Sequence, residues 1–141
     1  MKKLILLAFV SAFVFNSCRK DDDNNEPTIV GTWKPYKFIT KYENGTSSTS
    51  TPTPCSAKTN ITFANDGKYI AETYGDFSGE CLKDDANGTY SYDKQNKILT
   101  YTNNGDLVTF EVATLTDTEL TLITQLDLGG EEDQFYVYYK K

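Results

Sequence analysis

The sequence predicts an all-β fold, an eight-stranded antiparallel up-and-down β-barrel. Runs rich in Thr, Tyr, Phe, Val and Ile alternate apolar with polar residues, as half-buried strands do. Gly, Asn and Asp turn signals separate these runs at a spacing of roughly ten residues, which favours consecutive hairpins. Eight hairpin-connected strands leave two open edges unless the first pairs with the last, so we expect the sheet to close.

The first segment has the features of a secretory signal. Lys2 and Lys3 precede an apolar run that is too short to span a bilayer as a permanent helix. The small residue Ser17 and the following Cys18 resemble the lipobox of bacterial lipoproteins, which implies cleavage before Cys18 and lipidation of its new N-terminus. We therefore expect a signal peptide over residues 1–17, a lipidated acidic tether over 18–28 and one barrel domain over 29–141.

The charged residues after Cys18 carry a second expectation. The run Lys20, Asp21, Asp22 and Asp23 resembles the export tag of lipoproteins that some Gram-negative bacteria display on the outer face of the outer membrane. This implies an outer-membrane, lipid-anchored and surface-exposed protein, held by its acyl chains. The alternative is a periplasm-facing anchor in which the run is only a solvated tether.

Composition excludes several classes of function. The net charge is −6, and loss of Lys2 and Lys3 with the signal peptide makes it more negative. The only arginine, Arg19, lies in the tether, so we expect no nucleic-acid partner. The absence of histidine excludes a Ser-His-Asp triad, a Cys-His pair and any imidazole metal site. We predict a protein that is not an enzyme and has no cofactor or metal.

The strands follow one another along the barrel domain. Asn65-Asp66-Gly67 and Asn104-Gly105-Asp106 supply the positive φ of tight hairpins, and Asp93–Asn96 and Thr116-Asp117 are short turns. The predicted strands are residues 29–41, 59–65, 68–75, 88–93, 97–103, 106–115, 118–127 and 134–140.

Alternation within each strand predicts which side chains point inward. Tyr69 and Ala71 are assigned inward because burial of Glu72 would be costly. The other inward residues are Ile61, Phe63, Leu99, Tyr101, Val108, Phe110, Val112, Leu120, Leu122, Phe135, Val137 and Tyr139. Their neighbours Thr62, Thr100, Thr109, Glu111 and Thr121 are expected to face water.

Several phrases resemble those of one family. Ile29-Val30-Gly31-Thr32-Trp33 resembles the Gly-x-Trp that opens the lipocalin barrel. Residues 61–67, 87–92 and 115–120 are similar to repeated phrases of bacterial lipocalin-like domain lipoproteins. The resemblance implies a lipocalin-like barrel in which Gly31 and Trp33 plug the closed end, with the Lys140 stem as a cation–π partner of Trp33.

The remaining cysteines fit this topology. With Cys18 assigned to lipid, Cys55 and Cys81 are an even pair in an oxidising compartment. Cys55 precedes the second predicted strand and Cys81 follows the third, so both lie at the open end, where neighbouring strands bring them within reach of a disulfide. The alternative is two free thiols or a two-thiolate metal site.

The open end also collects the connecting segments 42–58, 75–87 and 127–134, the turn near Asn104, and with them half of the acidic residues. The acidic rim serves solubility, or it favours a cationic or neutral ligand or a calcium ion. Segment 42–58 is poor in apolar residues and is expected to be a mobile loop pinned at Cys55, with a lid as the alternative.

These observations lead to a membrane-anchored lipoprotein that binds a small apolar or amphipathic ligand inside the barrel. The predicted inward contacts are Tyr69, Tyr101, Phe110 and Tyr139. The alternative is a protein-interaction module at the cell surface, because the same aromatic side chains can fill an eight-stranded barrel as well as line it.

Overall fold

The computed structural model describes residues 26–103, 105–127 and 132–141. Its strands are β1 (Gly31–Lys41), β2 (Ser47–Ser50), β3 (Asn60–Phe63), β4 (Lys68–Phe77), β5 (Glu80–Asp93), β6 (Ile98–Asn103), β7 (Asp106–Leu115), β8 (Glu119–Asp127) and β9 (Glu132–Lys140). One 3₁₀ turn spans Ser56–Lys58. Within the described residues, no helix has the length and apolar character needed to cross a bilayer.

The sheet closes into the predicted eight-stranded antiparallel barrel. The strand order is β2-β1-β3-β4-β5-β6-β7-β8-β9, and β1 also pairs with β9. The closing ladder runs from Lys34 opposite Lys140 to Lys41 opposite Gln134. Closure removes the open edges of β1 and β9, which explains why the first strand pairs with the last. The hairpin glycines Gly67 and Gly105 have positive φ, as predicted.

The short strand β2 is an addition to the barrel and corrects the prediction that 42–58 is a loop throughout. β1 pairs with β3 through Gly31–Trp33 and with β2 through Phe38–Lys41. A tight turn makes this possible, because Tyr42 N and Thr46 O are 2.9 Å apart. A run of Ser and Thr can therefore form a strand through backbone hydrogen bonds to the edge of β1, although it has no apolar face to bury.

The β4–β5 hairpin is longer than predicted. Segment 75–87 was expected to be a loop, but the ladder continues through Gly75 opposite Leu82 to Phe77 opposite Glu80. Ser78 and Gly79 form the turn, with φ of 52° and 85°. Positive φ at both central residues matches the right-handed twist of paired strands and favours a tight hairpin. The hairpin therefore forms here although the polar sequence of β5 shows only weak apolar alternation.

The half of the barrel that contains Trp33, which we call the lower half, is packed with apolar side chains. The predicted inward faces are confirmed. The fully buried members are Trp33, Phe63, Tyr69, Leu99, Val112 and Leu120. Thr121, expected to face water, is instead 6% exposed. It stands between Thr114 and Tyr138 in its two ladders, and these cross-strand neighbours cover it.

Trp33 closes the lower end of the barrel. Its indole Nε1 donates a hydrogen bond to Ile29 O over 2.7 Å. The predicted cation–π partner was wrong: Lys141 Nζ, rather than that of Lys140, lies 4.6 Å from the Trp33 ring centroid. Strand alternation points Lys140 outward, opposite Glu119, so only the residue after the strand can turn inward over the indole.

The segment from Ile29 to Lys141 holds both partners of every described ladder and the whole buried core. These residues therefore form one closed sheet around one core.

Candidate ligand site at the mouth of the barrel

The upper half of the β4–β5 hairpin projects above the barrel. β5 pairs with β6 only through Tyr90–Asp93, whereas its ladder with β4 begins at Glu80. Among the described strands, the residues of β5 that precede Gly88 therefore pair with β4 alone. One broad face of this hairpin therefore points across the mouth and the other points outward.

The outer face of the hairpin is fastened to the segment before β3. Cys55 and Cys81 form the predicted disulfide, with Cα atoms 5.5 Å apart. Thr53 Oγ1 donates a hydrogen bond to Asp76 Oδ2 over 2.8 Å, and Tyr74 N donates to Thr59 Oγ1 over 2.9 Å. The covalent bond and these hydrogen bonds hold the hairpin in one position relative to the barrel.

An ion cluster compensates part of the acidic charge on this outer face. Lys83 Nζ lies 2.7 Å from Glu72 Oε1 and 2.9 Å from Asp85 Oδ1. Asn60 Nδ2 also donates to Glu72 Oε2 over 2.9 Å. Hydrogen bonds from Lys83 and Asn60 hold the pKa of the Glu72 carboxyl below its usual value, and the two carboxylates raise the pKa of Lys83.

The mouth-facing side of the hairpin is apolar. Phe77 and Leu82 occupy the same face as the inward residues Tyr69 and Ala71, because the β4–β5 ladder has no register shift. Phe77 is 64% exposed and Leu82 is 49% exposed. They line a cleft of about 440 Å³ together with Thr73, Gly75, Lys83 and Asp84.

Stacked aromatic rings lie inside the barrel. The Tyr101 ring centroid is 4.9 Å from that of Tyr69 and 5.5 Å from that of Phe110, which stacks on it. Phe38 and Phe135 form a second stacked pair at 5.9 Å. These rings extend the apolar interior above the fully buried core.

Three of the four predicted ligand contacts are brought together in this stack. Tyr69 is 2% exposed, and its hydroxyl donates to Thr102 O over 2.6 Å. Tyr101 and Phe110 are half-buried beside it. Tyr139 lies on another wall, between Pro35 and Leu120 in register. Burial, reinforced by the nearby Tyr101, raises the pKa of the Tyr139 hydroxyl.

The sequence prediction did not include Phe77 and Leu82. The Ser78-Gly79 turn is the sequence feature that could have indicated them, because a hairpin turn at these residues lengthens both strands and determines which side chains share a face. Cys18 and the run from Lys20 to Asp23 lie outside the described residues. No group of three or more acidic or thiol side chains within the described part of the chain is placed to hold a metal ion.

Comparison with solved structures finds several barrels of similar fold. A lipocalin-like protein from Bacteroides uniformis is 16% identical, with a TM-score of 0.48, over 79% of this chain and 96% of that chain. A bovine odorant binding protein variant is 14% identical, with a TM-score of 0.45, over 79% and 72%. Aphrodisin from the female hamster is 13% identical, with a TM-score of 0.46, over 81% and 75%.

No curated protein sequence matches this chain. The family model described as the lipocalin-like domain matches residues 29–122, from the strand that carries Gly31 and Trp33 to the middle of β8. This match covers more than half of the chain and includes β1 to β7 and the first part of β8. The chain belongs to the lipocalin-like domain family.

Proposed function

We propose that this protein is a membrane-anchored binding protein, without catalytic activity, that holds a small apolar or amphipathic molecule at the mouth of its barrel. The observation that carries the proposal is the exposure of Phe77 and Leu82 on the mouth-facing side of a disulfide-fastened hairpin. Large apolar side chains in a concave, pre-formed surface are the usual lining of small-molecule sites.

Covering these two side chains contributes part of the free energy of binding. Removing a Phe or Leu side chain from water contributes about 1.5–3 kcal/mol, so a ligand that covers the exposed parts of both gains about 3 kcal/mol from this contact. Because the disulfide already holds the hairpin in place, little conformational entropy is lost when the ligand binds.

The cleft also has a polar side. Thr73 and Asp84 stand opposite each other in the β4–β5 ladder and line the same cleft as Phe77. A carboxylate beside two apolar side chains favours a ligand with an apolar body and a hydrogen-bond donor or cationic end. We therefore favour an amphipathic ligand over a purely apolar one, and a cationic or neutral ligand over an anion.

The first experiment compares native and denaturing mass spectra of the protein expressed in an oxidising compartment. A mass excess in the native spectrum that is lost on denaturation is the expected result, and its size identifies the ligand. The stripped protein is then titrated with the apolar fluorophore N-phenyl-1-naphthylamine.

A pair of double variants locates the site. Phe77→Ser with Leu82→Ser should weaken binding of the fluorophore by at least about tenfold. Ile70→Ser with Leu107→Ser is the matched control, because Ile70 and Leu107 are 58% and 73% exposed on the outer side of the barrel. Equal loss of binding in both double variants would show that the fluorophore does not report on the mouth.

A second candidate function is a protein-interaction module whose mouth loops contact another protein. The packing of Trp33, Phe63 and Leu120 in the lower barrel favours it, because a filled interior leaves the mouth as the binding surface. An empty native spectrum together with no response from the fluorophore would replace the small-molecule function with this one.

The anchoring part of the proposal rests on Cys18 and the acidic run that follows it. In the native host, a palmitate analogue should label the wild-type protein and not Cys18→Ser. External protease should degrade the wild-type protein on intact cells, whereas replacement of Asp21, Asp22 and Asp23 by Ala should protect it. Protection of the wild-type protein itself would instead favour the periplasm-facing anchor.

A further inference from the structure

One outer wall of the barrel differs from the rest of this acidic protein. Residues 34–41 of β1 and 134–140 of β9 contain no Asp or Glu, although the whole chain carries a net charge of −6. Six of their outward side chains form what we call the tyrosine–lysine face: Tyr36, Lys37, Lys41, Tyr136, Tyr138 and Lys140. Lys34, Ile39 and Gln134 also point outward on this wall. It lies on the side wall, away from the mouth-facing side of the β4–β5 hairpin.

A β-bulge concentrates the residues of this face. The register between β1 and β9 shifts between Pro35 and Lys37, so that Tyr36 is the extra residue. Tyr36 and Lys37 are therefore both outward, although adjacent strand residues ordinarily point to opposite faces. The Tyr36 ring packs edge-on against Tyr138, with ring centroids 6.3 Å apart.

Aromatic rings, rather than carboxylates, hold the ammonium groups here. Lys37 Nζ is 3.9 Å from the Tyr138 ring centroid. Lys41 Nζ is 4.4 Å from the Tyr136 ring centroid and donates a hydrogen bond to the Tyr136 hydroxyl over 3.2 Å. Lys140 Nζ is 5.7 Å from the centroid of Tyr36. A cation–π contact fixes the position of an ammonium group without cancelling its charge.

Three lysines elsewhere are instead paired with carboxylates. Lys68 pairs with Asp66, Lys83 with Glu72 and Asp85, and Lys94 with Glu26. Among the side chains that the structure describes, none places a carboxylate within 4.0 Å of the lysines on the tyrosine–lysine face. The positive charge of this face is therefore largely uncompensated, apart from Glu119, which stands opposite Lys140 in the β8–β9 ladder.

The same wall contains an unfavourable pairing. Lys34 and Lys140 stand directly opposite each other in the ladder that closes the barrel. Like charges at directly opposed positions of a sheet lower stability. The two lysines therefore increase the positive charge of this wall at a cost to the stability of the barrel, so stability does not explain their presence.

We propose that the tyrosine–lysine face docks the barrel side-on against an anionic membrane surface. Charge complementarity favours lipid phosphates, since each lysine near such a surface contributes favourably to binding. Tyr and Lys both have an apolar body and a polar tip, which suits them to the boundary between headgroups and acyl chains. The ammonium group of Lys37 already covers the Tyr138 ring, and that of Lys41 is hydrogen-bonded to the Tyr136 hydroxyl, so these tyrosines are less suited to stacking on sugars than to holding lysines toward phosphate.

The test uses residues 26–141, which contain every described ladder and the buried core and lack the predicted lipid anchor. Circular dichroism first checks that this segment is folded. Binding is measured by cosedimentation with vesicles of equal parts phosphatidylglycerol and phosphatidylcholine, and with vesicles of phosphatidylcholine alone, at low ionic strength. The wild-type segment should bind the anionic vesicles, and added salt should release it. Because no mouth ligand or acyl chain takes part, failure here is distinct from failure of the ligand or anchoring proposals.

Two variants of equal charge decide whether the face or the net charge is responsible. Lys37→Gln with Lys41→Gln should lower the vesicle partition coefficient by about thirtyfold, at about fivefold for each lysine. Lys68→Gln with Lys94→Gln removes the same charge from carboxylate-paired positions and should change it less than about threefold. Circular dichroism confirms that both variants remain folded.

Three outcomes would overturn the proposal. One is a wild-type segment that binds anionic vesicles no better than neutral ones. Another is an equal loss of binding in the two double variants, which would indicate a general charge effect. The third is binding to soluble polygalacturonate without binding to vesicles, which would assign the face to an acidic polysaccharide instead.

Discussion

The ring of Phe77 lies across Gly75 on the mouth-facing side of the β4–β5 hairpin. A Cβ built on Gly75 would stand 2.9 Å from Phe77 Cε2, so the ring occupies the space that any larger residue would need. The absence of a side chain at Gly75 therefore determines where the exposed Phe77 ring can lie over the cleft.

Gly75→Ala should move the Phe77 ring and weaken ligand binding at the mouth. Only the end of a flexible side chain must shift, so we expect the free energy of unfolding to change by less than about 1 kcal/mol. Titration with N-phenyl-1-naphthylamine checks the effect on binding. In a Phe77→Ser background the same substitution should have no further effect, and an undiminished effect there would contradict this explanation.

Gly88→Ala should destabilise the barrel much more than Gly75→Ala. A Cβ on Gly88 would stand 2.6 Å from the carbonyl oxygen of Thr102 and 3.0 Å from Tyr69 Cε1. The carbonyl belongs to the β6 backbone and cannot move without disturbing the sheet, so we expect a loss of about 1–3 kcal/mol. Urea denaturation of the two variants provides the comparison, and equal midpoints would show that β6 yields at this position.

Removal of the Cys55–Cys81 disulfide should lower the free energy of unfolding by about 3 kcal/mol, since the bond closes a loop with a sequence separation of 26. The variant Cys55→Ala with Cys81→Ser should match the reduced wild-type protein in urea denaturation. It should also bind the mouth ligand more weakly, because the hairpin loses its covalent connection. If reduction leaves the wild-type midpoint unchanged, the bond does not contribute to stability.

The partly buried Tyr139 predicts a loss of stability at alkaline pH. Burial raises the pKa of Tyr139 above its usual value of 10.0, so the folded state keeps this proton longer than the unfolded state. The stabilisation is complete below about pH 10 and is lost as the pH rises toward the folded-state pKa. Tyr139→Phe should therefore show a shallower decline of Tm above about pH 10 than the wild-type protein. Tyr74→Phe, on the outer face of β4, is the control, and parallel curves for all three proteins would contradict the prediction.

Lys34→Gln should stabilise the barrel by roughly 0.2–1 kcal/mol, because it removes the repulsion between Lys34 and Lys140 across the closing ladder. Thermal unfolding at low and high salt measures the gain, which should shrink as salt screens the charges. Lys68→Gln breaks a pair with Asp66 and should give no gain. A destabilised Lys34→Gln would show that the lysine contributes to packing through its aliphatic stem.

The barrel itself could be predicted because its signals are local. Alternation in β6–β9 and turn residues such as Gly67 and Gly105 define strands and hairpins within a few neighbouring residues. Cys55 and Cys81 could be paired for the same reason, since they flank two adjacent strands. The projecting part of the β4–β5 hairpin could not be predicted because its β5 residues are polar and pair with β4 alone among the described strands. The hydrophobic period that marks a strand is therefore weak there.

The closed antiparallel barrel and the inward faces of its strands could be read from the amino-acid sequence, because they follow from periodic and turn signals within the chain. The disulfide followed from the positions of its cysteines beside two adjacent strands. The reach of the β4–β5 hairpin, which places Phe77 and Leu82 over the mouth, became visible in the folded barrel. The folded barrel also shows that Lys141 covers Trp33 and that a bulge puts Tyr36 beside Lys37. The bulge and the position of Lys141 depend on the pairing of β1 with β9, which are far apart in sequence. The reach of the β4–β5 hairpin depends on the length of its ladder, which the weak alternation of its β5 half does not indicate.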